Sequence, residues 1–463
     1  MTGEGEGEGV RRRREGLRDL LAFAVVIGVV AGLGVLLMRA NPTFSRIDEL
    51  EHFNYVTVLA DQHRIPRPGD HYTQAAMHAQ ACYGYQLGGT FLQPCHADHY
   101  DPAAYPGGGV TSAAGYPPVY YLATTAVAVA LRAVLGSDSL FVPARLASLL
   151  WLALGAVTVF LLARRVGAGR AVATGVGVLA ACAPMMLEQG TTVNPDAMSL
   201  LAGAGTALVW LSVRRTTSWH GLVAAAAALS AVALVKANLL ALPAAVLLAE
   251  LVLAARPGPR ILLRRSTWSW RAPLGRVLIA VAVSEFVGLA WSYLFMIGGR
   301  PAGVGPAAVA TGAPPHTNPW NLNLFLHYAP GSFVPLNSGA YVHVFDHGAL
   351  DLLTAVLDLL VVSGAVVAVL LAGPRLAPAP GDGVHPGRAV GYLAASCFVL
   401  AAPVVFVLTS LSGSFVAYPP RYSLFIVPLG LVALVAVSGR RRSLLFAVLA
   451  VVVVLVELRF LVR

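Results

Sequence analysis

Residues Pro117 to Leu135 read PPVYYLATTAVAVALRAVL. The placement of this run decides the fold. Crossing the hydrocarbon core, about 30 Å thick, takes about 20 predominantly apolar residues. Other runs of that kind lie near 18–38, 141–163, 170–187, 196–213, 219–235, 238–254, 276–297, 350–372, 389–410, 422–438 and 443–461. If 117–135 also crosses, every later segment changes sides. If it lies along the outer interface, eleven spans remain and the N-terminus is inside.

Charge separates the two topologies, because Lys and Arg favour cytoplasmic loops. With eleven spans the inner segments carry Arg11 to Arg14, Arg18, Arg164, Arg165, Arg170, Arg214, Arg215, Arg256, Arg260, Arg264, Arg265, Arg271, Arg276, Arg375, Arg388 and Arg440 to Arg442. That is 21 of the 32 basic residues. The alternative moves the six-arginine segment 256–276 outside. The pattern therefore predicts an all-α integral membrane protein of about 11 transmembrane helices, with 117–135 as an interfacial helix.

Composition agrees. The 463 residues are 57% hydrophobic and only 12% charged, with mean hydropathy +0.71; soluble chains carry about a quarter charged residues. The net charge of +10 falls in short clusters between apolar runs, which argues against a nucleic-acid surface. The Gly/Glu repeat Gly3 to Gly9 reads as disordered, and residues 1–16 as a cytoplasmic tail. The arginines that follow precede an apolar run of about 19 residues with no small-residue cleavage site before Asn41, so the first span reads as uncleaved. Residues 17–254 form one transmembrane module with an outer loop 39–141. Residues 255–463 form a second, with an outer loop 298–350. No glycine-rich phosphate loop with its lysine is present, nor an inverted pair of broken helices of the transporter kind.

Polar chemistry gathers in these outer loops. Ten of the twelve histidines lie there. Just beyond the first span stands Asp48-Glu49-Leu50-Glu51-His52. Asp48, Glu51 and His52 fall at i, i+3 and i+4, one helical face. A carboxylate there suits a general base; ordinary first-turn helix acids are the plain alternative. Lys236 is the chain's one lysine and closes a span on the outer side; it suits a phosphate as a compact point charge, or simply snorkels. Arg421, in Tyr418-Pro419-Pro420-Arg421-Tyr422, suits bidentate phosphate binding or interfacial anchoring with its tyrosines. Asp196, in Asn194-Pro195-Asp196 with Glu188 nearby, reads as a helix cap or a second acid of the cavity. Asp351 and Asp358 share one face of a span and read as cavity-lining, while Glu250 and Glu285 read as paired acids.

Cys82 and Cys95 share the first outer loop and suit a disulfide in an oxidising compartment; Cys182 and Cys397 lie in spans as small apolar residues. His96, Asp98, His99 and Asp101, and separately His343, Asp346 and His347, have metal-ligand chemistry at loose spacing. They read first as solvated loop residues, and a divalent cation stays open. Tyr116 to Tyr121 and Trp320 suit stacking on sugar or prenyl units, or interface anchoring.

In this order these elements resemble the GT-C superfamily of membrane glycosyltransferases, which take sugars from polyprenyl phosphates. The similarity extends to protein O-mannosyltransferases and lipid A aminoarabinose transferases, and most of all to bacterial GT-C-like proteins with no assigned reaction. It is carried by Asp48-Glu49 after span one, Pro117-Pro118 with Tyr120 and Tyr121, Asn194-Pro195-Asp196, Lys236, and Arg421-Tyr422. Many relatives have Lys where Tyr116 stands. No large domain follows the last span, which leaves acceptor recognition to the outer loops.

The resemblance implies an inverting hexosyl- or pentosyltransferase in the plasma membrane with its site outside the cytosol. It implies a polyprenyl-phosphate sugar as co-substrate and a cell-envelope glycan, lipid or protein hydroxyl as acceptor. Asp48 and Glu49 take the catalytic places. Glu51, His52, Tyr116, Tyr120, Asp196, Lys236, Arg421 and Tyr422 take the substrate-binding ones. A flippase for lipid-linked glycans would place charges along a path through the whole bilayer. A noncatalytic scaffold of an envelope-polymer complex would use the outer loops to bind a partner protein.

Overall fold

A computed structural model describes residues 4–45, 48–84, 93–255, 272–297, 320–336, 348–375, 385–411, 418–438 and 440–461. Among them there are helices and one isolated bridge, His71 with Val110, and no strand. The expected all-helical membrane fold is present.

The helices are α1 (Glu4–Ala40), α2 (Glu49–Gln62), α3 (Gln74–Tyr83), α4 (Val119–Leu135), α5 (Phe141–Arg165), α6 (Arg170–Ala181), α7 (Pro184–Thr191), α8 (Ser199–Val213), α9 (Trp219–Ala233), α10 (Ala241–Ala255) and α11 (Pro273–Trp291). They continue as α12 (Leu322–Tyr328), α13 (Gly348–Arg375), α14 (Pro386–Leu411), α15 (Val427–Val437) and α16 (Arg440–Leu461). Every expected span is helical. Among the described residues eight are long and apolar enough to cross by themselves, nine if a bent pair counts as one. The pair is α6 and α7, which meet at 67°. Pro184 opens α7; without an N–H it cannot extend the ladder from α6, so the expected single span 170–187 breaks there. The α9 helix is short at 15 residues.

The N-terminus departs from expectation: helix α1 runs back to Glu4 through the Gly/Glu repeat. Extending an existing helix needs no new nucleus.

The run that set the topology is α4, 17 residues between Pro118 and a left-handed Gly136. At 1.5 Å per residue it is about 26 Å long, shorter than the hydrocarbon core. It packs between α2 and α5. Tyr120 Oη and Ser148 Oγ are 2.8 Å apart, and Trp151 Nε1 donates to Thr124 Oγ1 at 3.0 Å. Val119 N donates to Leu234 O at 3.0 Å. That bond fixes the start of α4 beside the end of α9, two residues before Lys236.

At the other end of the bundle Glu250 binds Arg214 and accepts from Trp210 Nε1 at 3.0 Å. Arg276 donates to Val213 O at 3.1 Å and Arg214 O at 2.6 Å, satisfying open carbonyls at the end of α8. Glu250 is thus paired as expected, whereas Glu285 Oε1 has no hydrogen-bond partner among the described residues. Asp358, expected to line a cavity, is buried and accepts from Leu336 N at 2.9 Å. Asp351 is exposed.

Candidate active site

Helix α2 begins at Asp48, whose backbone is left-handed at φ 55°, ψ 12°. A non-glycine residue held there costs free energy and persists when its surroundings impose it. Glu49 supplies the restraint. It is wholly buried, and Arg145 of α5 grips it with Nε to Oε1 at 2.7 Å and Nη2 to Oε2 at 2.6 Å. Ser45 N (2.6 Å) and Val193 N (2.9 Å) donate to the same carboxylate. Arg145 also donates to Asn41 O at 2.9 Å and Thr43 O at 2.6 Å. One ion pair therefore clamps the end of α1, the start of α2, α5 and the turn after α7. Both oxygens of Glu49, expected in a catalytic place, accept from protein donors. Arg145→Ala is expected to lower stability by about 3–5 kcal/mol, the cost of leaving a buried charge unpaired. Thermal unfolding in detergent measures this.

Asp48 itself stays open. Its side chain is 51% exposed, and its Oδ2 accepts from Arg421 Nη2 at 2.7 Å. Arg421 opens the 3-10 turn Pro420–Ile426, which leads into α15. Lys236 Nζ donates to Asp196 Oδ1 at 2.7 Å and lies 4.5 Å from the centre of the Tyr422 ring, a cation–π contact. Asn238 Nδ2 donates to Tyr422 O at 2.9 Å. Asp196 stands in the 3-10 turn Pro195–Met198, where Asn194 Oδ1 accepts its backbone N–H at 3.0 Å. Residues 48, 196, 236, 421 and 422, spread over the whole chain, thus meet at one place. Tyr116 adjoins it, its ring 6.0 Å from that of His52.

The other expected contacts lie beside this centre. Glu51 shares a helix face with Asp48 but turns to a loop: Tyr72 Oη, Thr111 Oγ1 (3.1 Å) and Ser112 N (2.7 Å) donate to it. His52 is buried, with Nδ1 2.7 Å from Tyr121 Oη. Tyr120 is fully buried on Ser148, in the packing of α4 on α5. Trp320 packs edge-on against Phe406, with centroids 5.8 Å apart. Cys82 and Cys95 form the expected disulfide, and Cys182 and Cys397 are buried thiols. Arg145 is the functional neighbour that the sequence reading passed over. A lone arginine inside an apolar span is itself a signal, since such a charge must find a partner.

Electrostatics sharpen the picture. Enclosure by protein pushes the Asp48 carboxyl up, but the charges of Arg421 and Lys236 and the Arg421 hydrogen bond outweigh it and hold it below the usual 3.8. Burial pushes His52 down to about 3, so it is neutral at physiological pH. Burial also lowers Lys236, against the opposing pull of Asp196. It raises Glu51, against the bonds from Tyr72, Ser112 and Thr111.

His96, Asp98, His99 and Asp101 do not gather as ligands. Asp101 instead caps a turn, accepting from Ala103 N at 3.0 Å. The metal-like grouping among the described residues is His78 with Cys82 and Cys95, whose sulfurs are bonded to each other. His343, Asp346 and His347 lie outside the described residues.

Residues 117–284 match the family model of dolichyl-phosphate-mannose-protein mannosyltransferases. Over these residues the chain is similar to that family. The matched segment runs from the prolines before α4 into α11 and includes Asp196 and Lys236. Among solved structures, ArnT from Cupriavidus metallidurans bound to undecaprenyl phosphate is similar at 17% identity and a TM-score of 0.44, over 89% of this chain. The chain covers 60% of the length of ArnT. No curated protein matches the sequence.

Proposed function

We propose that the protein transfers a sugar from a polyprenyl-phosphate donor to an acceptor hydroxyl on the extracytoplasmic side of the plasma membrane. The observation that carries this reading is the meeting of an open carboxylate, Asp48, with two enclosed cations, Arg421 and Lys236. Asp48 takes the proton of the acceptor hydroxyl. The acceptor oxygen attacks the anomeric carbon, and the bond from that carbon to the phosphate oxygen breaks. The lipid phosphate leaves with the electron pair on the side opposite the attack, so configuration inverts. Lys236 and Arg421 stabilise the charge that grows on the leaving phosphate. The family match over 117–284 supports the donor class.

The site also carries its own restraint. Base and clamp neutralise each other, since Arg421 holds Asp48. A donor phosphate competes for Arg421 and frees the carboxylate, so the donor binds before the acceptor. Glu49 serves as the anchor that holds Asp48 in its left-handed turn.

The test is release of undecaprenyl phosphate from a lipid-linked sugar as a function of pH. A general base works when ionised, so the rate falls as Asp48 is protonated. In kcat/KM, which reports the free enzyme, the acid limb lies below 3.8 because Arg421 holds the carboxyl down. In kcat the limb moves to higher pH, because Arg421 has turned to the phosphate. On the alkaline side the rate falls as Lys236 loses its proton, below the ordinary lysine value of 10.5. An acid limb at the same pH in both parameters contradicts the exchange. Absence of released lipid phosphate at any pH contradicts the enzyme.

A further inference from the structure

The first outer loop holds a grouping that the proposed reaction does not use. Gln74, His78 and Cys82 stand at i, i+4 and i+8 of α3, so they form one face of it. Residues 93–101 lie along that face, and Tyr100 holds them there. Gln74 Nε2 donates to Tyr100 O at 3.0 Å, and Tyr100 N donates to Gln74 Oε1 at 2.9 Å. The Tyr100 ring meets that of His78 edge-on, with centroids 5.8 Å apart, and its hydroxyl donates to Cys95 O. Cys95 is thus kept opposite Cys82 by contacts that do not involve its sulfur.

His78 is the informative member. Its Nε2 lies 3.5 Å from Cys82 Sγ, and one ligand atom from each of His78, Cys82 and Cys95 falls within 4.8 Å of the other two. Two sulfurs and an imidazole nitrogen are a donor set of zinc, at about 2.3 Å for sulfur and about 2.0–2.1 Å for nitrogen. At tetrahedral angles such ligands stand roughly 3.5–3.8 Å from one another, the separation that His78 and Cys82 already have. In the structure the two sulfurs are bonded to each other, which closes the site to an ion. Both cysteines are partly exposed and His78 is exposed, so the bond is open to attack by a thiolate from solution.

We propose that this grouping is a two-state staple: a disulfide when oxidised, and a zinc site made by His78, Cys82 and Cys95 when reduced. The reductant is a dithiol. One of its thiolates attacks a sulfur of the pair, its second thiol resolves the mixed disulfide, and it leaves oxidised while Cys82 and Cys95 remain as thiols. Zinc then takes both sulfurs as thiolates, and their two protons go to solvent. Three protein ligands leave the fourth tetrahedral position to water. Either link joins the end of α3 to residues 93–101, so the loop keeps its shape in both states. The staple and the transfer reaction stand independently of each other.

The test reduces the full chain in detergent with a phosphine, removes the reductant and titrates zinc against a chromophoric chelator. The reduced wild type is expected to take up a single zinc per chain, and the oxidised protein none. His78→Ala weakens zinc binding by the reduced protein by at least about 10-fold, the least that removing even an outer-shell partner of a ligand costs. Cys82→Ser abolishes it. His78 is exposed, so oxidised His78→Ala is expected to unfold at the wild-type temperature. Reduction lowers the unfolding temperature of the wild type, and zinc restores it. A smaller effect of His78→Ala overturns the three-ligand site. Uptake that survives Cys82→Ser, or equal uptake by the oxidised protein, places the metal on other residues and overturns it too. Zinc bound without recovery of the unfolding temperature overturns the staple, and no uptake by the reduced wild type overturns the whole proposal.

Discussion

Asp48→Asn is expected to lower sugar transfer by about 10³-fold, the scale of a lost general base, while the protein folds and binds lipid phosphate. The substitution keeps size and shape, and asparagine is among the few side chains that accept a left-handed backbone. The turn at φ 55° is therefore preserved. What disappears is the ability to take a proton, together with the negative charge that holds Arg421. Binding of undecaprenyl phosphate should tighten, because the guanidinium no longer has to leave a carboxylate. Loss of transfer with gain of lipid affinity is a pattern that a misfolded variant does not give. A flippase would keep moving its lipid in this variant, and a scaffold would release no lipid phosphate in the wild type either. Transfer assays beside lipid titrations on one purified sample measure both halves.

Arg421→Ala and Lys236→Ala carry the second large effect, about 10²–10³-fold each in kcat/KM. In the proposed reaction both cations face one phosphate, so the double variant should lose less than the product of the two, as groups acting as a unit do. Their replacements are not equivalent. Arg421→Lys removes the planar fork that holds two oxygens at once and is not conservative. Lys236→Ala leaves Asp196 buried with no cation, so the informative form is Lys236→Met combined with Asp196→Asn, which removes both charges. Measured unfolding temperatures separate its effect on the fold from its effect on the reaction.

Much of this was legible in the sequence because it is written in local terms. Apolar length and the arginine asymmetry mark the spans and set α4 apart. Asp48, Asp196, Lys236 and Arg421 stand at span ends, where a charged residue in so apolar a chain is conspicuous. Cys82 and Cys95 are close in one outer loop. The misplaced residues are those whose role depends on a distant partner. Glu49 and Asp48 are adjacent and chemically alike, yet Arg145, 96 positions away, takes one and leaves the other open. Glu51 shares a face with Asp48, but the loop bearing Thr111 and Ser112 folds over it. Tyr120 and His52 have the look of ligand contacts and are instead closed by Ser148 and Tyr121. Asp358 meets a backbone N–H 22 residues earlier, a partner that helical spacing does not reveal. Spacing along a helix fixes which side chains share a face; it does not say which neighbour arrives there.

The exchange of Arg421 from carboxylate to phosphate joins these results, and a structure of the full chain with undecaprenyl phosphate bound tests it directly. The phosphate should lie within hydrogen-bond distance, about 3 Å, of Lys236 Nζ and the Arg421 guanidinium, with Asp48 released and open to the outer side. A phosphate bound elsewhere, or one bound while the Asp48–Arg421 pair stays closed, would contradict the account.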